Sequence, residues 1–138
     1  MSVFRQTAVV KFAWCDFAGI MFFPRYFELC NDTVEAWFAE ALGVSFRKLH
    51  GDLNLSVPTA RMEADFRAAS RMDDKLDIAL TVERLGGASC AIRIRVTCRG
   101  EERFEARQII VMTDRETLKS RRWPDSFRQK MLPYVEAD

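Results

Sequence analysis

Apolar positions recur along this chain with two different periods, and the change of period divides it into elements. Tyr26, Phe27, Cys30, Val34, Trp37, Phe38 and Ala41 follow one another at steps of three and four. That spacing places side chains on one stripe of a helix. Glu28, Asn31, Asp32 and Glu35 fall on the opposite wedge, and Leu29 and Ala36 widen the stripe. Pro24 suits a first helical position, where a missing N–H is harmless. Gly43 suits the left-handed residue just past a helix end. The pattern predicts one helix over 24–42, apolar around much of its circumference, as enclosed helices are.

Elsewhere the period is two. Residues Val3 to Ala13 contain Thr-Ala-Val-Val-Lys-Phe and read as a first strand. Trp14 to Phe23, with Asp16 and Gly19, reads as a loop. After the helix, Ala60, Met62, Ala64, Phe66 and Ala68 alternate with Thr59, Arg61, Glu63, Asp65 and Arg67. Ile78, Leu80 and Val82 alternate with Asp77, Thr81 and Glu83, and Cys90, Ile92, Ile94, Val96 and Cys98 with Arg93, Arg95, Thr97 and Arg99. Phe104, Ala106, Ile110 and Met112 continue the pattern. Asp73-Asp74, Gly86-Gly87 and Arg99-Gly100-Glu101 mark turns. Pro124 to Leu132 reads as a short last helix. The order β-α-β-β-β-β is that of an α+β fold, in which one apolar helix buries its stripe against a curved antiparallel sheet.

With 138 residues, the chain is read as a single domain, 1–138. Apolar residues at 49% and charged residues at 30% fit a globular protein. The net charge is only +1, so there is no bulk field to gather nucleic acid or an anionic membrane. The longest apolar or small stretch, Phe17 to Pro24, falls short of the ~20 residues a bilayer span needs. The first residues carry no cationic start leading into an apolar run, so the expected compartment is the cytoplasm. Cys15, Cys30, Cys90 and Cys98 form no C-x-x-C pair and read as reduced core thiols. The one histidine, His50, sits in a polar stretch and reads as exposed. A zinc site with several imidazoles within one chain is excluded, and no metal or cofactor is expected. Nucleotide-binding glycine motifs and the serine-hydrolase elbow are absent. Acid–base chemistry is left to carboxylates.

The segment Phe12-Ala-Trp-Cys-Asp-Phe-Ala-Gly-Ile-Met-Phe-Phe-Pro-Arg-Tyr-Phe27 resembles the signature of hotdog-fold acyl-CoA thioesterases, and among them the 4-hydroxybenzoyl-CoA thioesterase branch. That branch carries D-x-D-P-A-G-[IV]-x-[FWY]-x-P-x-[YF] between its first strand and central helix. Asp16, Ala18, Gly19, Ile20, Phe22, Pro24 and Tyr26 match it, and Phe23 follows the aromatic position directly. Trp14 and Phe17 replace the earlier polar position and the proline. Phe23 keeps aromatic bulk without a hydroxyl. Gly87 and Ala88 stand where some members place basic residues before strand 4. The resemblance implies a hotdog fold, a five-stranded antiparallel sheet wrapped around the long helix.

It also implies hydrolysis of an acyl-CoA thioester to free acid and CoA. A thiolate leaves readily, because thiols ionise near ~8.5, so no histidine acid is required. What is required is a carboxylate to attack or to activate water, and donors for the developing oxyanion. Asp16 is the expected nucleophile or general base. By the resemblance, the Phe23 backbone N–H at the helix N-terminus polarises the carbonyl, and Gly19 lets the loop pass close to it. Phe17, Ile20 and Phe22 are the expected acyl pocket. Ser89 and Arg93 are the expected contacts to CoA.

Alternatives stand beside this reading. Glu28, Asp32 and Glu35 form a rival site, because another branch of hotdog thioesterases carries its carboxylate on the helix. Otherwise they are a polar face toward water or a partner. Asp16 itself could be a loop aspartate satisfied by nearby backbone. Arg121, Arg122, Arg128 and Lys130 could meet CoA phosphates or simply be solvated. At the level of function, the rivals are a hotdog dehydratase or hydratase, and a non-catalytic binder of acyl-CoA or acyl-carrier protein. Exposed edges of one curved sheet favour assembly, and the resemblance implies a homodimer that pairs into a homotetramer.

Overall fold

The computed structural model of the chain describes residues 1–137. Strand β1 spans Phe4–Val9, and helix α1 spans Pro24–Trp37 and runs on through a wider turn, Phe38–Leu42. Helix α2 (Phe46–His50) and strands β2 (Leu55–Ser56), β3 (Thr59–Phe66), β4 (Lys75–Leu85), β5 (Ser89–Cys98), β6 (Glu101–Val111) and β7 (Thr113–Asp114) follow. Helix α3 (Asp125–Met131) is the last long element.

The main sheet has five strands in the order β1-β4-β5-β6-β3, every neighbour antiparallel. It curls around α1. The helix gives Tyr26, Leu29, Cys30, Val34, Trp37 and Phe38 to the core, the sheet gives Leu76, Leu80, Ile92, Ile94, Phe104 and Ile110, and all are buried. The helix therefore ends where its periodicity predicts. Gly43 takes φ 73°, a backbone state that favours glycine. Helix α3 closes the far end of α1, with Phe127 against Phe38 and, just beyond it, Tyr134 edge-on to Trp37.

Three expectations are corrected. The first strand stops at Val9, since Val10 bonds to the turn before β4 and Phe12–Trp14 forms a short tight turn. His50 does not lie in an open loop. It ends α2, half-buried, with Nδ1 donating to the Phe46 carbonyl at 2.7 Å. The apolar series on β3 is only partly covered, because β3 is an edge of the sheet.

One irregularity positions a charge. The β5–β6 register shifts between Val96 and Thr97, whose partners are Phe104 and Glu102. Arg103 occupies the bulge, and both it and Phe104 are buried.

Candidate active site

The loop before α1 folds as a small hairpin. Cys15 pairs with Met21, Asp16 N donates to Ile20 O at 2.9 Å, and Gly19 N donates to Asp16 O at 3.0 Å. Gly19 has φ +80°, which the tight reversal requires. Asp16 Oδ1 accepts from Ala18 N at 2.9 Å, so the carboxylate braces its own turn while staying exposed. The hairpin is tied to the segment after β3, with Met21 N donating to Ser70 O at 2.8 Å and Ile20 bridging to Arg71.

From there the chain enters α1. Phe22 O accepts from Arg25 N and Phe23 O from Tyr26 N. Phe23 is the cap residue, and no side chain caps the helix. Among the described residues the Phe23 N–H makes no hydrogen bond. It points out of the positive end of the helix dipole as a free donor.

A cavity of about 370 Å³ opens beside this terminus, walled by Ile20, Met21, Phe23, Tyr26, Phe66 and the segment from Arg67 to Ser70. Three aromatic rings, Phe23, Tyr26 and Phe66, stand in its walls. Tyr26 stacks on Phe104 at 4.7 Å and 14°, and Phe66 stands edge-on to Phe23 and Tyr26. Behind it lies a polar cluster. Tyr26 Oη and Ser70 Oγ are 2.7 Å apart. Arg103 Nη1 donates to Ser70 Oγ at 3.2 Å, to Ala69 O at 3.1 Å and to Asp74 Oδ2 at 2.7 Å. The Arg71 N–H bond, reinforced by Arg103, holds the Asp74 carboxyl below its usual range. Burial pushes the Tyr26 phenol upward, so it stays protonated at neutral pH.

The expected site residues separate. Ile20 and Phe23 line the cavity, and Asp16 and Gly19 lie in the adjoining hairpin. Phe17 is fully exposed at the hairpin tip. Phe22 packs on the Phe23 ring at 5.7 Å, outside the cavity wall. Ser89 lies far along the chain at the start of β5, its carbonyl accepting from Trp123 Nε1 at 3.0 Å. Arg93 is on the outer sheet face, held by Glu105 at 2.8 Å, Glu136 at 2.9 Å and Glu83 at 3.1 Å. Glu105, with Arg93 foremost and Arg67 and Arg95 beside it, titrates at about 2. The helix carboxylates Glu28, Asp32 and Glu35 face outward, and Glu28 pairs with Arg25 at 2.8 Å. Arg128 and Lys130 bond the carbonyls of Gly86 and Leu42. The four cysteines are free, and burial pushes the Cys30 and Cys90 thiols up to about 12.

Ser70, Phe66 and Arg103 had no marker in the sequence. Tyr26 did, but its helical spacing reads as core, which it also is.

A hotdog sheet and helix with an open helix terminus beside an aromatic cavity define the class, and the comparisons agree. Residues 10–131 match the model of the thioesterase-like superfamily, and the chain belongs to that family. A 1,4-dihydroxy-2-naphthoyl-CoA hydrolase from Synechococcus elongatus is 29% identical over 87 residues, covering 62% of this chain. That match spans 63% of the relative's own length. A thioesterase-superfamily structure from Jannaschia sp. CCS1 superposes with TM-score 0.91 at 26% identity, over 99% of this chain and 95% of that one. A 1,4-dihydroxy-2-naphthoyl-CoA thioesterase from Synechocystis has the same fold, with TM-score 0.86 at 17% identity over 95% and 96% of the two chains.

Proposed function

We propose that this protein is an acyl-CoA thioesterase. The observation that carries the reading is the uncapped start of α1, where the free Phe23 N–H opens beside an aromatic cavity and the Asp16 hairpin. The thioester carbonyl accepts from that N–H, and the acyl group enters the cavity. Asp16 either attacks the carbonyl carbon or takes a proton from the attacking water. The C–S bond breaks and CoA leaves as thiolate; where Asp16 has attacked, water then hydrolyses the resulting Asp16–acyl anhydride, and on either route the acid is released. The name of the curated relative, a 1,4-dihydroxy-2-naphthoyl-CoA hydrolase, supports the same chemistry.

The site is completed by a second copy. β3 is a free sheet edge, and Phe66 on it is about half exposed, next to the exposed Phe22 and Phe23. Pairing two copies along that edge covers this apolar face and brings a second chain to the cavity mouth. This edge supports a homodimer, and its further pairing into a homotetramer is part of the same proposal. Coenzyme phosphates fall to exposed guanidinium groups such as Arg71, beside Ile20, because Arg93 is already neutralised by three carboxylates. Among the described residues no helix is long and apolar enough to cross a membrane, and a cytoplasmic site of action is the reading we adopt.

The test is thiol release from a panel of aromatic and aliphatic acyl-CoAs. Turnover of at least one, lost in Asp16→Asn, supports the proposal. Binding without turnover of any of them overturns it in favour of a carrier module.

A further inference from the structure

Two pieces of chain have to keep one geometry for the proposed reaction: the hairpin that carries Asp16 and the start of α1 that presents the Phe23 N–H. A residue far along the sequence bonds to both. The Ser70 carbonyl accepts from Met21 N at 2.8 Å, which seats the hairpin. The Ser70 hydroxyl lies 2.7 Å from Tyr26 Oη, which holds the first turn of α1. Tyr26 N in turn donates to the Phe23 carbonyl at 3.1 Å.

This link is better protected than the local one. Arg25 Nη2 reaches back to Ala13 O, but over 3.4 Å and in the open, where water competes. Ser70 is 1% and Tyr26 4% exposed, so their bond has no such competitor. Ser70 is itself fixed from behind. Arg103 Nη1 donates to its Oγ at 3.2 Å and to Ala69 O at 3.1 Å, and Asp74 anchors that guanidinium at 2.7 Å.

We propose that Ser70 is a positioning residue: it sets the Asp16 carboxylate and the Phe23 N–H at one fixed separation, and Arg103 holds Ser70 in place to do so. Being buried, it acts through these partners and not on the substrate. The inference rests on the thioesterase reading. Its force comes from the steepness of catalysis with distance, since a misplacement of about 1 Å can cost about 10²-fold in rate.

The experiment isolates the hydroxyl. Ser70→Thr keeps it, and Ser70→Val puts a methyl in its place at nearly the same shape, so crowding is common to both. kcat and KM are measured for an acyl-CoA that the native protein hydrolyses, well below the Tm of each variant, so that unfolded protein does not dilute the rate. Ser70→Val is expected to lose about 10- to 100-fold in kcat with KM near native, and Ser70→Thr to keep kcat. Tyr26→Phe breaks the same tether from its other end and should match Ser70→Val, with no further loss in the double variant. A serine that only supports the fold would lower Tm in Ser70→Val and leave kcat equal to that of Ser70→Thr, which overturns the proposal. Losses that add in the double variant overturn it too. If neither Ser70 variant folds, Tyr26→Phe decides, because it adds no volume, and a native kcat there overturns the proposal. Absence of thiol release from every acyl-CoA by the native protein removes the thioesterase reading together with this inference, whereas native turnover with kcat unchanged in the variants removes only this one.

Discussion

Arg103 and Asp74 meet at 2.7 Å between the β6 bulge and the turn before β4, with the guanidinium 10% and the carboxylate 17% exposed. The pair does more than join two strands. Through its bonds to Ala69 O and Ser70 Oγ, Arg103 holds the segment on which both the motif hairpin and Tyr26 rest. Glu101 approaches Arg103 Nε at 2.7 Å but is itself largely exposed, so Asp74 is the principal counter-charge.

Removing that counter-charge leaves a guanidinium in a largely buried place. Asp74→Asn is expected to cost about 2 kcal/mol, less than the 3–5 of a fully buried pair because some solvent reaches both groups. A urea titration measures it. A change below ~0.5 kcal/mol, the range of ordinary surface substitutions, would show that the pair is solvated rather than structural.

Asp16 separates chemistry from structure unusually well. The Asn side chain keeps an oxygen that accepts from Ala18 N, so the turn survives Asp16→Asn. Hydrolysis should fall by roughly 10²–10⁴-fold with thermal stability unchanged. Glu35→Gln and Asp32→Asn, on the exposed helix wedge, should stay near native activity. Loss in either helix variant with Asp16→Asn active would move the site to the helix.

Gly19 tests the hairpin that carries Asp16. A β-carbon there meets nothing within 4 Å, so the cost of Gly19→Ala is the positive φ alone, about 1 kcal/mol. Turnover should drop more than stability, because the strain is relieved by moving the reversal that fixes Asp16. Unaltered kcat/KM would show that the hairpin's position is not critical.

The outer face of the sheet sets the acid limit. Glu105 titrates at about 2, held down first by Arg93, whereas an unfolded glutamate titrates near ~4.3. The depressed native value stabilises the fold fully above the unfolded value, and that contribution fades as pH falls from ~4.3 through about 2. In urea titrations the native protein should lose more stability between pH 5 and pH 2 than Glu105→Gln does. Parallel losses would remove Glu105 from the account.

Much of the candidate site's local geometry is legible in the sequence because one contiguous segment forms it. Asp16, Gly19, Phe23 and Pro24 lie within a single hairpin-to-helix passage, where local bonding decides the geometry. Phe17 and Phe22, expected in the acyl pocket, do not line the described cavity. Apolar character predicts burial in general, yet the hairpin turns Phe17 to its tip and Phe22 against Phe23, and only contacts across the fold select which rings line a cavity. Arg93 misled in the opposite way. An arginine on an alternating strand signals an outward face, but whether it is free depends on carboxylates from β4, β6 and the C-terminal segment.

By itself the chain's pattern determined the long helix with its Pro24 start and Gly43 stop, the succession of antiparallel strands and the acidic motif loop, since periodicity and turn chemistry act between near neighbours. The tertiary structure alone decided the floor of the cavity. Ser70 and Asp74 share the segment before β4, but Arg103 comes from β6, and a bulge there turns it inward to meet them. Desolvation then forces those polar groups to satisfy one another, and such a requirement exists only once the sheet has closed on the helix.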